Sequence, residues 1–266
     1  MPLPAELASN LRSLATRYLH NSVAPYSRGR TAAVALLSTG EFVPGVRIET
    51  ASFPLAIPAL INLVTTTVAV DRRDVLAVVQ SHAISGPEQS YIARSPIGPF
   101  ALIEDDIAVR VGAPSFPDPT RELQPFVIDR GQSVDELLSD AMAMAARAIT
   151  SESHFPVGAV VKCGDHLVPG VNVEHEFWPF SLCAERNALG TAVSYGLDSI
   201  SEVYLSCLRD DSASPCGACR QVLSEIAPDS TLWMFRGRDN EPERVTTEDL
   251  LPGFFTGAAL LRRSDG

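Results

Sequence analysis

The chain has 266 residues, 45% of them hydrophobic and 20% charged, with a formal net charge of −11. That is ordinary globular composition, enough for one large domain or two small ones. The acidic balance argues against a polynucleotide partner, whose phosphates demand a basic footprint, and suits a small uncharged substrate.

Five cysteines are too few for a disulfide framework and suit a reducing cytoplasm. The start, Met1-Pro2-Leu3-Pro4-Ala5-Glu6, lacks the basic region and apolar core of a signal peptide, so a cytoplasmic location is expected. Residues 51–70 carry no charge and approach membrane-spanning length. They also hold two prolines and several threonines, and an internal repeat gives them a soluble role, so no membrane span is expected.

The repeat sets Phe42–Asn62 against Leu167–Asn187 without a gap. Val-Pro-Gly-Val recurs at 43–46 and 168–171; Glu49 falls on Glu174, Pro54 on Pro179 and Asn62 on Asn187. Ser95-Pro96-Ile97-Gly98 matches Ser214-Pro215-Cys216-Gly217. Two copies of one unit follow, with expected boundaries 1–118 and 132–266 and a linker at 119–131, inside a stretch of four prolines from about 112 to 132. In the first copy Pro58, Leu60, Ile97 and Phe100 stand where the second has Cys183, Glu185, Cys216 and Cys219. Any chemistry those four residues perform is confined to the second unit, and packed side chains are expected to fill the first unit's vacant site.

In the second unit a helix is expected over Val134–Ile149, opened by a Ser133/Glu136 capping box. Strands at Phe155–Val161 and Leu167–Val173 flank a Cys-Gly-Asp turn. Then come a helix at Cys183–Tyr195, a strand at Glu202–Leu208, a helix at Cys216–Ile226, a strand at Thr231–Phe235 and a terminal segment from Glu248. Alternating strands and helices imply an α/β layered fold.

Cys183, Cys216 and Cys219 can supply the three protein ligands of a catalytic zinc, which keeps its fourth position for water. Glu185, two residues from a ligand, is close enough to move protons without binding metal. Pro215 suits a helix start, and cysteines three apart share the face of that helix's first turn. Helix N-termini stabilise thiolates. Arg186 and Arg220 are placed to offset the surplus negative charge of three thiolates on one zinc. A closed structural zinc is the competing reading, with Cys163, Cys207 or His175 as fourth ligand.

Cys-x-Glu followed by Pro-Cys-x-x-Cys resembles the signature of zinc nucleobase deaminases. With Phe155-Pro-Val-Gly-Ala159, Gly170-Val-Asn-Val-Glu174, Cys183-Ala-Glu-Arg186, Ser214-Pro-Cys-Gly-Ala-Cys-Arg-Gln221 and Leu250-Leu-Pro252 with Phe255, the chain resembles the cytidine deaminase family across about 100 residues. The resemblance implies a three-layer α-β-α sandwich and hydrolytic deamination of cytidine or deoxycytidine, with one Zn²⁺ per chain in the C-terminal unit. It implies that Glu185 is the proton carrier, that Asn172 and Glu174 bind the ribose, and that Phe155 stacks on the base. The Ala184 backbone holds the substrate, and Arg186 is the chief charge-balancing residue. It implies four units per assembly, hence a homodimer of this two-unit chain. Glu152, His175, Glu176 and Trp178 depart from the family pattern near the sugar end. They leave open another 4-aminopyrimidine nucleoside, including one of the blasticidin type. A non-catalytic zinc assembly protein is the reading from a different class.

Overall fold

The computed structural model describes residues 3–207, 209–210, 214–236 and 241–261. Leu208, the expected end of one strand, lies outside them. The first sheet is built from β1 (Ala32–Leu37), β2 (Glu41–Val46), β3 (Val75–Gln80), β4 (Phe100–Glu104), β5 (Ile107–Arg110) and β6 (Arg121–Glu122), in the order β4-β5-β3-β1-β2-β6. The second uses β7 (Val127–Ile128), β8 (Gly158–Cys163), β9 (His166–Val171), β10 (Ile200–Cys207), β11 (Thr231–Arg236) and β12 (Glu243–Thr246), in the order β12-β11-β10-β8-β9-β7. The main helices are α1 (Ala5–Arg17), α2 (Ala59–Ala69), α3 (Gly86–Ala93), α4 (Val134–Ala145), α5 (Ala184–Ser194) and α6 (Gly217–Ile226). Short helices α7 (Thr247–Leu250) and α8 (Ala258–Leu261) follow.

Period-two alternation sets the layers of the second unit. Val160, Leu167 and Tyr204 point to one face, where Leu137, Leu138 and Ala141 of α4 cover them. Val161, Val203, Leu205 and Leu232 point to the other, under Ala184, Ala188 and Leu189 of α5 and Val222 and Leu223 of α6. Helix, sheet and helix therefore make three layers, as expected. In the first sheet β1 and β3 are buried at every residue, the pattern of strands covered on both faces.

The two units differ in one connection. After β10 the chain crosses through α6, and β11 returns parallel to β10. After β3 it makes α3 and then the β4–β5 hairpin, so β5 runs antiparallel to β3. Ile97 and Phe100, aligned with Cys216 and Cys219, thus lie before and at the start of a strand instead of on a helix's first turn. The 119–131 segment is also more than a tether. β6 extends the first sheet alongside β2, and β7 extends the second alongside β9.

The centre of the molecule is α2 lying beside α5. All eleven residues of α2 are buried, as are nearly all of α5. Polar groups fix their register: Asn62 Nδ2 donates to Gly190 O at 3.1 Å and to Ser194 Oγ at 2.9 Å. Asn187 Nδ2 donates to Thr65 Oγ1 at 3.0 Å, and the Thr66 and Thr191 hydroxyls lie 2.7 Å apart. Buried hydrogen-bonded groups of this kind select one arrangement, because a slipped helix pair would strand them. Residues 59–69 of the charge-free stretch fill this buried position, and no described helix is long and apolar enough to cross a membrane.

Candidate metal and substrate site

Two helix N-termini meet at the site. Cys183 is the N-cap of α5, with φ −73° and ψ 159°, and Cys216 is the N-cap of α6, with φ −65° and ψ 165°. Neither helix has a side-chain cap, so the first-turn amides of both are free to face an anion. Cys219 lies three residues into α6 and is fully buried. Cys183 Sγ is 3.7 Å from Cys216 Sγ, and Cys216 Sγ is 3.6 Å from Cys219 Sγ. Zn–S bonds of about 2.3 Å in a tetrahedron place sulfurs ~3.8 Å apart, so the donor set fits zinc. The Cys216 thiolate is favoured first by the Cys183 thiol, then by Cys219 and the amides of Cys219 and Ala218.

Among the described residues this group contains three ligand-type side chains and no fourth. Cys163 and Cys207 are buried in the core of the second unit. His175 is buried elsewhere, against the rings of Tyr91 and Phe180. A closed four-ligand zinc therefore lacks its fourth ligand among these residues, while an open site has what it needs.

Glu185 follows the N-cap by two residues and is 3% exposed. Burial is the main reason its carboxyl is pushed up to about 7. Beside Cys183 opens a cavity of about 200 Å³ lined by Glu152, Ser153, Asn172, Glu174 and Trp178. Asn172 and Glu174, two apart in an extended segment, share a face. The Asn172 amide bridges the entry to β8: Oδ1 accepts from Val157 N at 2.8 Å and Nδ2 donates to Phe155 O at 2.9 Å. Glu174 accepts from the backbone N–H groups of Glu152 at 2.9 Å and Ser153 at 3.0 Å, and from the Ser153 hydroxyl.

The structure thus brings the three cysteines, Glu185, Ala184, Asn172 and Glu174 to one end of the second sheet. Phe155 is positioned by Asn172 but packs half-buried against the core without lining the cavity. Arg186 reaches across the molecule, with Nη2 donating to Leu55 O of the first unit at 2.9 Å. Ser153 is the residue that sequence reasoning missed. Its signal was present in the repeat, since Ser27 and Tyr26 bind Glu49 in the same way in the first unit.

An α-β-α unit that presents three thiolates and a buried carboxylate at two helix ends defines a zinc-binding hydrolase of the deaminase class. The family model for the cytidine and deoxycytidylate deaminase zinc-binding region matches residues 132–234. A cytidine deaminase of Sporosarcina psychrophila is 33% identical over 124 residues, 46% of this chain and 91% of that relative. One from Halalkalibacterium halodurans is 32% identical over 121 residues, 45% of this chain and 92% of that relative. The blasticidin-S deaminase of Bacillus cereus is 34% identical over 110 residues, 38% of this chain and 76% of that relative. A crystal structure of cytidine deaminase from Burkholderia pseudomallei aligns with 30% identity, 47% of this chain, 100% of that chain and a TM-score of 0.43. The chain belongs to the cytidine deaminase family.

Proposed function

We propose that the chain is a zinc-dependent hydrolase converting cytidine or deoxycytidine to uridine or deoxyuridine with release of ammonia, using its second unit alone. The observation that carries this reading is the buried carboxylate of Glu185 beside three sulfurs spaced for an open zinc site. Cys183, Cys216 and Cys219 hold one Zn²⁺ per chain, and when bound the metal supplies a water acidified towards a pKa of about 7. Glu185 accepts a proton from the attacking water and passes it to ring nitrogen 3 as the oxygen bonds to carbon 4. It then carries the second proton to the exocyclic amine; the C4–N bond breaks and the carbonyl forms. One carboxylate serves both transfers because it is regenerated between them.

Asn172 and Glu174 hold the ribose hydroxyls in the cavity beside Cys183, and Ser153 orients Glu174. The Ala184 backbone fixes the base edge, and Phe155, which does not line the cavity, contributes through its carbonyl by holding the Asn172 amide. Arg186, buried near Glu185, offsets the negative charge of the thiolates. The pocket favours a free nucleoside over a phosphorylated one, since Glu152 and Glu174 line it and no lysine or arginine does among the described residues. Glu152 also supports a second reading, a nucleoside with a cationic sugar substituent, in keeping with the blasticidin-S deaminase among the relatives. Two such chains assemble as a homodimer.

The test is ultraviolet-monitored deamination of cytidine and deoxycytidine by the zinc-loaded protein, with Glu185→Gln alongside. Wild type should turn over, and the variant should lose about 10²–10⁴-fold in rate with its zinc content unchanged. No turnover of either nucleoside by a protein carrying zinc would overturn the cytidine reading and favour the cationic nucleoside.

A further inference from the structure

The first unit has lost every zinc ligand, and packing closes part of the vacated space: Leu60, Ile97 and Phe100 are buried in its core. The site is nevertheless not filled. A cavity of about 340 Å³ opens at the start of α2, lined by Pro58 and Ala59, the counterparts of Cys183 and Ala184, and reached from the second unit by Phe180. That is the size of an ordinary small-molecule pocket.

Its polar lining is unsatisfied. Gln80 is 2% exposed and Tyr91 1% exposed, yet Gln80 Oε1 and the Tyr91 hydroxyl have no hydrogen-bond partner among the described residues. Arg47 Nε is likewise buried and unpaired. The Gln80 amide nitrogen has only a long 3.5 Å contact to Ala83 O, leaving this amide weakly held. Native proteins leave few such groups unpaired, because each costs roughly 1–3 kcal/mol. Arg47 at the cavity is already paired with Glu49 at 2.9 Å, and Glu88 accepts from the neutral Ser85 N–H at 3.1 Å and the Ser85 hydroxyl. An anionic ligand would find no unpaired arginine or lysine in the lining among the described residues. Once the weakly held Gln80 amide turns towards the cavity, an uncharged planar ring with N–H and C=O groups on one edge would pair with both its oxygen and its nitrogen.

We propose that this cavity is a second, non-catalytic binding site for an uncharged pyrimidine or its nucleoside. The choice of pyrimidine rests on the function proposed above; the existence of the site does not. The experiment is calorimetric titration of the zinc-loaded Glu185→Gln chain with uridine, with and without the added pair Gln80→Leu and Tyr91→Phe. Two uridines per chain are expected without the pair and one with it. One uridine per chain that the pair does not change overturns the proposal. One per chain that the pair abolishes upholds the cavity and sinks the catalytic reading instead. Inorganic phosphate is titrated in parallel, and phosphate binding lost with the pair would overturn the ligand class. A uridine-soaked crystal of Glu185→Gln, which keeps both cavity residues, guards against misfolding of the pair. Density for the base in this cavity, beside Gln80 and Tyr91, is expected, and water alone there overturns the proposal.

Discussion

Pro58 and Cys183 occupy the same place in their units and nearly the same backbone, φ −64° and ψ 148° against φ −73° and ψ 159°. Proline fits that conformation as readily as cysteine does. The first unit could therefore lose its ligand without moving α2, and single residues decide function inside a preserved frame. Single residues also decide acid stability. Arg72 is 2.6 Å from Glu41 and 2.9 Å from Asp74, tying the ends of β2 and β3 together. Both carboxyls are held down to about 2, by Arg72 before any other group. Their folded pKa values lie below the unfolded ones, near ~4. The stability they contribute is thus complete above about pH 5 and is lost as pH falls through about 4 towards 2. Replacing Arg72 with Met should lower the melting temperature at neutral pH and flatten its decline between pH 5 and 2.5. An unchanged slope would show that this cluster does not govern the acid limb.

At the scale of elements, each sheet receives its central helix through a glycine. A Cβ on Gly45 would lie 2.5 Å from Leu63 Cβ and 2.6 Å from Ala59 O; on Gly170 it would lie 2.3 Å from Ala184 O and 2.7 Å from Ala188 Cβ. These contacts involve backbone that cannot step aside, so alanine at either position should cost about 1–3 kcal/mol through overpacking. The two variants should part company in zinc. Gly170→Ala pushes on the first turn of α5, which carries Cys183 and Glu185, and should weaken zinc retention during dialysis; Gly45→Ala should not. Equal retention would mean that the α5 contact does not position the ligand. The Val-Pro-Gly-Val repeat marked both glycines in the sequence. Helices α4, α5 and α6 were legible for the same kind of reason, long apolar periods with caps or proline at their starts. The two-residue strands β6 and β7 leave no period to read, which is why 119–131 looked like a plain linker. The β4–β5 hairpin was hidden by a local match, since Ser-Pro-x-Gly precedes a helix in one unit and a strand in the other. The clustering of Cys183, Cys216 and Cys219 was legible in their spacing, but the Leu55 carbonyl facing Arg186 is a long-range contact that no spacing encodes.

At the scale of the whole molecule, the repeat leaves a paired apolar feature on the surface. Phe53 is 85% exposed and Trp178 is 71% exposed. They are 125 residues apart, the offset of the repeat, and each opens a short 3₁₀ turn. Trp178 lies beside the cavity at Cys183, and Phe53 beside a separate first-unit cavity of about 350 Å³ lined by Tyr26, Ser27 and Glu49. Two large aromatics held out into water at equivalent positions of two packed units are costly unless something covers them. A second copy of the chain is the partner whose symmetry matches, because a twofold interface sets one patch against the same patch. A stable contact needs about 800 Å² from each chain, and aromatic anchors are the residues that most often carry such an interface. Light scattering should therefore report about twice the 28.5 kDa of one chain. Phe53→Glu with Trp178→Glu should reduce the mass to one chain while zinc stays bound, since neither residue is a ligand. A wild-type mass of one chain would refute the dimer. A double variant that remains dimeric would move the interface elsewhere, with the half-exposed Phe255 the next aromatic to replace.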